Sequence, residues 1–162
     1  MVSEMDEGII RLANALDTED MIGFTRAFVE DFKTGRNCVN RELLPWIEDI
    51  DKGWTGVLCL GMGGSAAGGD FLATLCDHKG AVPVRCHRGY DIPSWWTPDW
   101  LVISTSYSGN TEETLSSTVQ AMDMGATVVV IASGGELAGL SELSEKVHPV
   151  SYTHLTLPTN DQ

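Results

Sequence analysis

The pattern that most constrains this chain is a unit that occurs twice: an apolar, β-branched run, a loop of glycines and hydroxyl residues, then a stretch compatible with a helix. The first copy is Thr55–Leu60, the loop Gly61-Met62-Gly63-Gly64-Ser65-Ala66-Ala67-Gly68-Gly69-Asp70, and Ala, Phe and Leu residues continuing from Ser65 to Cys76. The second is Trp100–Thr105, the loop Ser106-Tyr107-Ser108-Gly109-Asn110-Thr111-Glu112-Glu113-Thr114, and a helical spacing over Thr111–Met124. Further runs at Val82–Cys86, Thr127–Ala132 and Val147–Tyr152 read as strands, with a helix expected over Glu136–Lys146. Strand alternating with helix predicts an α/β chain: a three-layer α/β/α sandwich around a flavodoxin-like parallel sheet with right-handed crossovers. If the spatial order is 2-1-3-4-5, strands one and three are neighbours at the switch point, where such sheets bind ligands. Those are the strands that carry the two loops.

Backbone N–H groups at a helix N-terminus bind an anion without a charged side chain, and glycines let its oxygens approach the main chain. In the second loop the hydroxyls of Ser106, Ser108 and Thr111 flank Gly109 at a strand-to-helix junction, where all three can turn toward one phosphate. A plain helix cap on Ser108 or Asn110 is the competing reading. No Lys or Arg lies between Arg88 and Lys146, so a phosphate held by this segment is held by neutral donors. Glu112 and Glu113 fit the first helical turn, where acids complement the dipole, and are read as structural.

The first loop fits three patterns. It reads as a second anion cradle. Gly61-x-Gly63-x-x-Ala66 also satisfies a dinucleotide fingerprint, although Arg85, His87 and Arg88 stand where that motif needs an acid. Gly63-x-Ser65-x-Ala67 resembles a nucleophile elbow without its last glycine, with Ser65 as nucleophile and His148 as base. Neither of the last two explains the second loop. Trp95, Trp96 and Trp100, after Pro93, suit edge packing or a dimer contact better than stacking on a sugar.

Residues 1–52 form a helical segment expected to pack on the domain or on a partner subunit. Met21, Phe24, Phe28 and Phe32 recur at helical spacing, Thr18 is a candidate helix start, and Leu43, Leu44, Trp46 and Ile47 form a second stretch. The net charge of −13 argues against nucleic acid or an anionic membrane as partner. Cys38, Cys59, Cys76 and Cys86 show no metal-binding spacing and read as free thiols of a reducing compartment. With no apolar run long enough to span a bilayer, the expected location is the cytoplasm. The Thr-rich residues 151–162 break the strand-helix pattern, and the expectation is a non-native tail on the N-terminal piece of a longer protein.

Both loops, together with Arg88-Gly89-Tyr90-Asp91-Ile92-Pro93 and Ser133-Gly134-Gly135-Glu136-Leu137, resemble a sugar isomerase (SIS) domain over residues 53–150. More narrowly, the run Gly-Met-Gly-Gly-Ser-Ala-x-Gly-Gly-Asp is similar to the N-terminal half of bifunctional phosphoglucose/phosphomannose isomerases. The resemblance implies an aldose–ketose isomerase interconverting glucose 6-phosphate or mannose 6-phosphate with fructose 6-phosphate, needing no metal or organic cofactor. It implies that Ser106, Ser108 and Thr111 bind phosphate, that Gly63, Gly64 and Ser65 contact the sugar or a phosphate oxygen, and that Ser133 and Gly134, on the same rim, also bind the substrate or its phosphate. Glu136 stands where some relatives carry a base. The resemblance also implies a homodimer, with the catalytic Glu and a ring-opening His outside this chain, so no catalytic residue is assigned here. His78, His87, His148 and His154 read as surface or capping residues. The alternative is a non-catalytic SIS sensor of sugar phosphates, against which the acidic N-terminus counts.

Overall fold

The computed structural model describes residues 4–18, 20–38, 44–48, 50, 53–79 and 82–151; His154 and the 152–162 part of the Thr-rich tail lie outside them. The chain divides into two compact units, residues 1–40 and 41–162.

The first unit holds helices α1 (Glu4–Leu16) and α2 (Met21–Cys38). The start of α2 is capped by Asp17 and not by Thr18: the Asp17 carboxylate accepts hydrogen bonds from the Met21 and Ile22 N–H groups at 2.6 and 2.8 Å. Two carboxylate oxygens satisfy two orphan donors where one hydroxyl satisfies one. Ile9, Leu12 and Leu16 on α1 and Phe28, Val29 and Phe32 on α2 are exposed. Phe28 and Phe32 stack on one another, as their spacing requires.

The second unit is a five-stranded, all-parallel sheet of order β2-β1-β3-β4-β5, the order expected from the sequence. Its elements are β1 (Val57–Leu60), α3 (Gly63–Lys79), β2 (Val84–His87), β3 (Leu101–Ser106), α4 (Glu112–Asp123), β4 (Val128–Ala132), α5 (Gly135–Gly139) and β5 (Val147–Ser151). Right-handed crossovers carry α3 leftward from β1 to β2 and α4 rightward from β3 to β4, which puts the two helices on opposite faces. On the α4 face, Leu58, Leu60, Val102, Val128, Val130 and Val147 form the core with Ala121, Leu137, Leu140 and Trp96. The opposite face is less closed, since Ile103, Thr105 and Ile131 are only half-buried. Trp96 is a core residue and Trp100 packs partly buried against that core, while Trp95 is exposed and tilted against Trp100.

The α3 face depends on small residues and thiols. A Cβ at Gly69 would lie 2.7 Å from Cys59 Cβ and 2.7 Å from Cys86 Sγ, so the glycine is what lets α3 sit close to β1 and β2. Cys59 and Cys86 are register partners on those strands, and Cys59, Cys76 and Cys86 are free thiols.

At the other edge, β5 carries Pro149. The Val128 N–H donates to Lys146 O, so alternation along a parallel pair turns the Pro149 carbonyl outward. The Trp46 indole N–H donates to that carbonyl at 3.2 Å, and its ring stacks on His148 at 4.9 Å. Proline removes one edge donor and tryptophan occupies an acceptor, which blunts the exposed edge. Trp46 itself belongs to a 3₁₀ turn, Pro45–Glu48.

The helix expected over Glu136–Lys146 is not formed. α5 ends at Gly139, a 3₁₀ turn covers Leu140–Glu142, and Leu143 is 76% exposed. Leu137 and Leu140 already bury the apolar positions, and nothing buried remains to extend the helix past the glycine.

Candidate functional site

Three loops leave the carboxyl ends of β1, β3 and β4, which are parallel and adjacent, so they share one rim. Neighbouring strands lie about 4.8 Å apart, and the first two loops therefore meet at the switch point. Contact is direct at Gly61, where a Cβ would lie 3.1 Å from Thr105 O. Gly63 and Gly64 open α3 and are exposed; Ser65 is half-buried, and its N–H donates to Met62 O at 3.0 Å.

Loop two is held from within. The Ser106 hydroxyl lies 2.9 Å from that of Thr111 and accepts a hydrogen bond from the Gly109 N–H at 3.1 Å. Each hydroxyl has one proton, so whichever of Ser106 and Thr111 donates to the other leaves one O–H proton of the pair unused. Ser108 accepts from the Asn110 N–H at 3.2 Å and keeps its own proton to donate. Thr111 is the N-cap of α4 in extended conformation but makes no side-chain cap. The N–H groups of Glu112, Glu113 and Thr114 have no acceptor within the helix, since the first bond runs from Leu115 N to Thr111 O at 2.9 Å. Three amide donors and two hydroxyl protons thus converge at the positive end of α4, an arrangement suited to a small anion.

α4 is fixed to β3 by hydroxyls where a helix usually packs on a sheet through apolar side chains. Ser104 and Thr118 are fully buried with their oxygens 2.6 Å apart, and Thr118 also donates to Thr114 O at 2.5 Å. Ser106, Thr114 and Ser117 are buried in the same layer, and Thr114 Oγ1 has no hydrogen-bond partner. The sequence reading missed this polar layer; the signal was Ser104 and Ser106 at alternate positions of β3, facing Thr111, Thr114 and Thr118 at helical spacing.

Loop three serves loop two. Ser133 donates both its N–H, at 3.1 Å, and its hydroxyl to Tyr107 O. The Leu137 N–H donates to Gly109 O at 2.9 Å, and the Glu136 N–H to Asn110 Oδ1 at 3.0 Å. Gly134 lies against Gly109. Asn110, read as a possible cap of its own helix, therefore caps α5 across the rim. A small cleft lined by Ala132, Ser133, Gly134, Ala138 and Pro149 lies on the far side of this turn, at the tips of β4 and β5.

The segment after β2 closes the other side. Arg88 forms an ion pair with Asp70 of α3, which holds the Asp70 carboxyl below its ordinary range together with a hydrogen bond from Cys86. Gln120 of α4 donates to Tyr90 O at 2.8 Å and accepts from the Ile92 N–H at 3.3 Å. The Tyr90 hydroxyl lies 3.4 Å from Glu112 Oε2. His87 ends β2 with a buried, unpartnered Nε2, and His78 is exposed in the last turn of α3. His148 stacks on Trp46 at the β5 edge, one strand beyond β4, and no contact joins it to Ser65. Among the described residues no group of His, Cys, Asp and Glu forms a metal cluster, and no helix is long and apolar enough to cross a membrane.

No protein-family profile matches the chain. It is 44% identical over 95 residues to a bifunctional phosphoglucose/phosphomannose isomerase of Caldicellulosiruptor bescii, covering 59% of this chain and 27% of that protein. It is 39% identical over 94 residues to the enzyme of that name in Aquifex aeolicus, covering 56% of this chain and 29% of that protein. Among solved structures, the tagatose-6-phosphate ketose/aldose isomerase of Escherichia coli superposes with a TM-score of 0.57 at 21% identity, over 73% of this chain and 35% of that one. The fold is that of the SIS phosphosugar isomerases, and the chain is homologous to bifunctional phosphoglucose/phosphomannose isomerases over somewhat more than half its length. The matched part spans less than a third of those relatives.

Proposed function

We propose that residues 53–150 are the sugar-phosphate-binding SIS domain of an aldose–ketose isomerase that interconverts glucose 6-phosphate or mannose 6-phosphate with fructose 6-phosphate. The observation that carries this reading is the uncapped N-terminus of α4, with the Ser106–Thr111 hydroxyl pair and Ser108 beside it, one strand from the glycine loop of β1. In this reading Ser106, Ser108, Thr111 and the first-turn amides of α4 hold the phosphate, and Gly63, Gly64 and Ser65 contact the sugar. Ser133 and Gly134 act by bracing loop two. Helices α1 and α2 lie outside that domain, and the residues after Ser151 are not assigned to it.

Isomerisation moves a carbon-bound proton between C1 and C2 through an enediol, which requires ring opening and a general base. None of the described carboxylates or histidines is supplied to the cradle as such a base. Glu112 and Glu113 belong to the helix turn that would hold the phosphate, and the proton to be moved is at the other end of the sugar. The base and the ring-opening residue are therefore assigned to the part of the relatives that this chain does not match. The same reading assigns the protein to cytoplasmic carbohydrate metabolism, as a homodimer.

The test is calorimetric titration with glucose 6-phosphate, paired with NMR detection of C2–H exchange in D2O. The expected result is saturable binding without exchange. Absence of binding would remove the assignment, and exchange by this chain alone would place the base within it.

A further inference from the structure

Resting on the phosphate reading of loop two, we infer that Tyr90 is the residue that distinguishes a hexose phosphate from free phosphate, by presenting its ring to the sugar at the edge of the cradle. The segment that carries it is fixed at both ends. Arg88 is tied to Asp70 on α3, and Gln120 on α4 grips the chain on either side of Asp91 through Tyr90 O and the Ile92 N–H. β1 lies between β2 and β3, so the segment crosses the β1 side of the sheet from the tip of β2 to Gln120, in the third turn of α4, and the Tyr90 hydroxyl reaches back to Glu112 in the first turn.

Tyr90 is nevertheless half exposed, at 50%, with its hydroxyl beside Glu112, the first residue of the helix whose N–H groups form the cradle. A large aromatic ring that is locked through its backbone and left open to solvent is prepared to cover something else. An ester group leaving the phosphate on this side meets the ring face, where the C–H faces of a sugar pack well. The carboxylates of Glu112 and Glu113 stand near the same phenol, and the charge of Glu113 above all raises its pKa. Carboxylates accept hydrogen bonds from sugar hydroxyls, which favours a ligand that carries a sugar.

The experiment measures dissociation constants of the whole chain for glucose 6-phosphate and for inorganic phosphate. The wild-type chain should prefer the ester, and Tyr90→Ala should reduce that preference about fivefold to tenfold, the size of one aromatic contact, with phosphate affinity unchanged. Tyr90→Phe should keep most of the preference. In the unsubstituted chain with 13C-labelled tyrosine, the Tyr90 ring resonances should shift with glucose 6-phosphate and not with phosphate. Equal loss for both ligands in Tyr90→Ala, or ring resonances that ignore the sugar, would overturn the inference. Equal wild-type affinity for the two ligands would also overturn it while leaving the phosphate reading intact. If neither ligand binds the wild-type chain, it is the phosphate reading that fails.

Discussion

Gly109 and Gly134 are in backbone contact across the rim: a Cβ on Gly109, whose φ is 71°, would overlap the carbonyl oxygen of Gly134. The second loop can take its shape only because Gly109 has no side chain there, whereas a Cβ on Gly134 would meet nothing. A left-handed conformation costs an L-residue roughly 1–2 kcal/mol before any overlap. Gly109→Ala should therefore destabilise the domain by about 2 kcal/mol or more, read from urea unfolding at constant m-value. A change within about 0.5 kcal/mol, the scale of an ordinary surface substitution, would mean that the two loops are not clamped in this way.

Ser104 and Thr118 are fully buried and bonded to each other. Removing one partner leaves the other with an unsatisfied polar atom, at a cost of about 1–3 kcal/mol, whereas replacing both by apolar groups is milder. Ser104→Ala and Thr118→Val should each destabilise, and the double variant should cost clearly less than their sum. Strict additivity in chemical denaturation would show that the pair is not coupled.

The thiols of Cys59 and Cys86 predict the behaviour at high pH. Burial raises Cys59 from the ordinary 9.0 to about 11, and burial followed by the hydrogen bond to Asp70 raises Cys86 to about 12. The folded chain keeps protons that the unfolded chain loses, so stability is full below pH 9 and declines as pH rises toward 11 and 12. Cys59→Ser or Cys86→Ala should flatten that decline. Both native thiols should also resist iodoacetamide at pH 8 until the chain is unfolded, because the nucleophile is the thiolate.

His148 gives the opposite slope. Burial against Trp46 lowers its pKa below the ordinary 6.5, so the unfolded chain binds the proton first. Its contribution is complete above pH 6.5 and is lost as pH falls below that value toward the lower folded pKa. His148→Phe should reduce the dependence of stability on pH between 5 and 7, and an unchanged slope would remove His148 as its source.

The strand order was legible because short β-branched runs separated by helical stretches admit few topologies, and the two glycine loops marked the ends of the strands that meet. Strand bounds moved by one or two residues: β1 starts at Val57 and not Thr55, and β2 covers Val84–His87 and not Val82–Cys86. Three features differed from the pattern of residue types. Asp17 displaced Thr18 as the cap because it reaches two amides, and Gly139 ended a helix whose apolar positions were already buried. Trp96, read beside Trp95 and Trp100 as an edge residue, is buried in the core. At the site, the hydroxyls of loop two were visible as a pattern around Gly109. The bracing by Ser133 and Asn110, and the polar layer of Ser104 and Thr118, join residues far apart in sequence whose types are equally common on solvated surfaces.

The central claim is that uncharged hydroxyls and main-chain amides at the start of α4 hold the phosphate of a sugar ester, and differential thermal stability tests it most directly. Ligand that binds only the folded state raises the melting temperature by linkage. Glucose 6-phosphate at a hundred times its dissociation constant should add about 2.7 kcal/mol, raising the melting temperature by several degrees, while glucose at the same concentration should add nothing. Ser106→Ala combined with Thr111→Ala should abolish the increase. An equal response to glucose, or a response that survives the double substitution, would contradict the account.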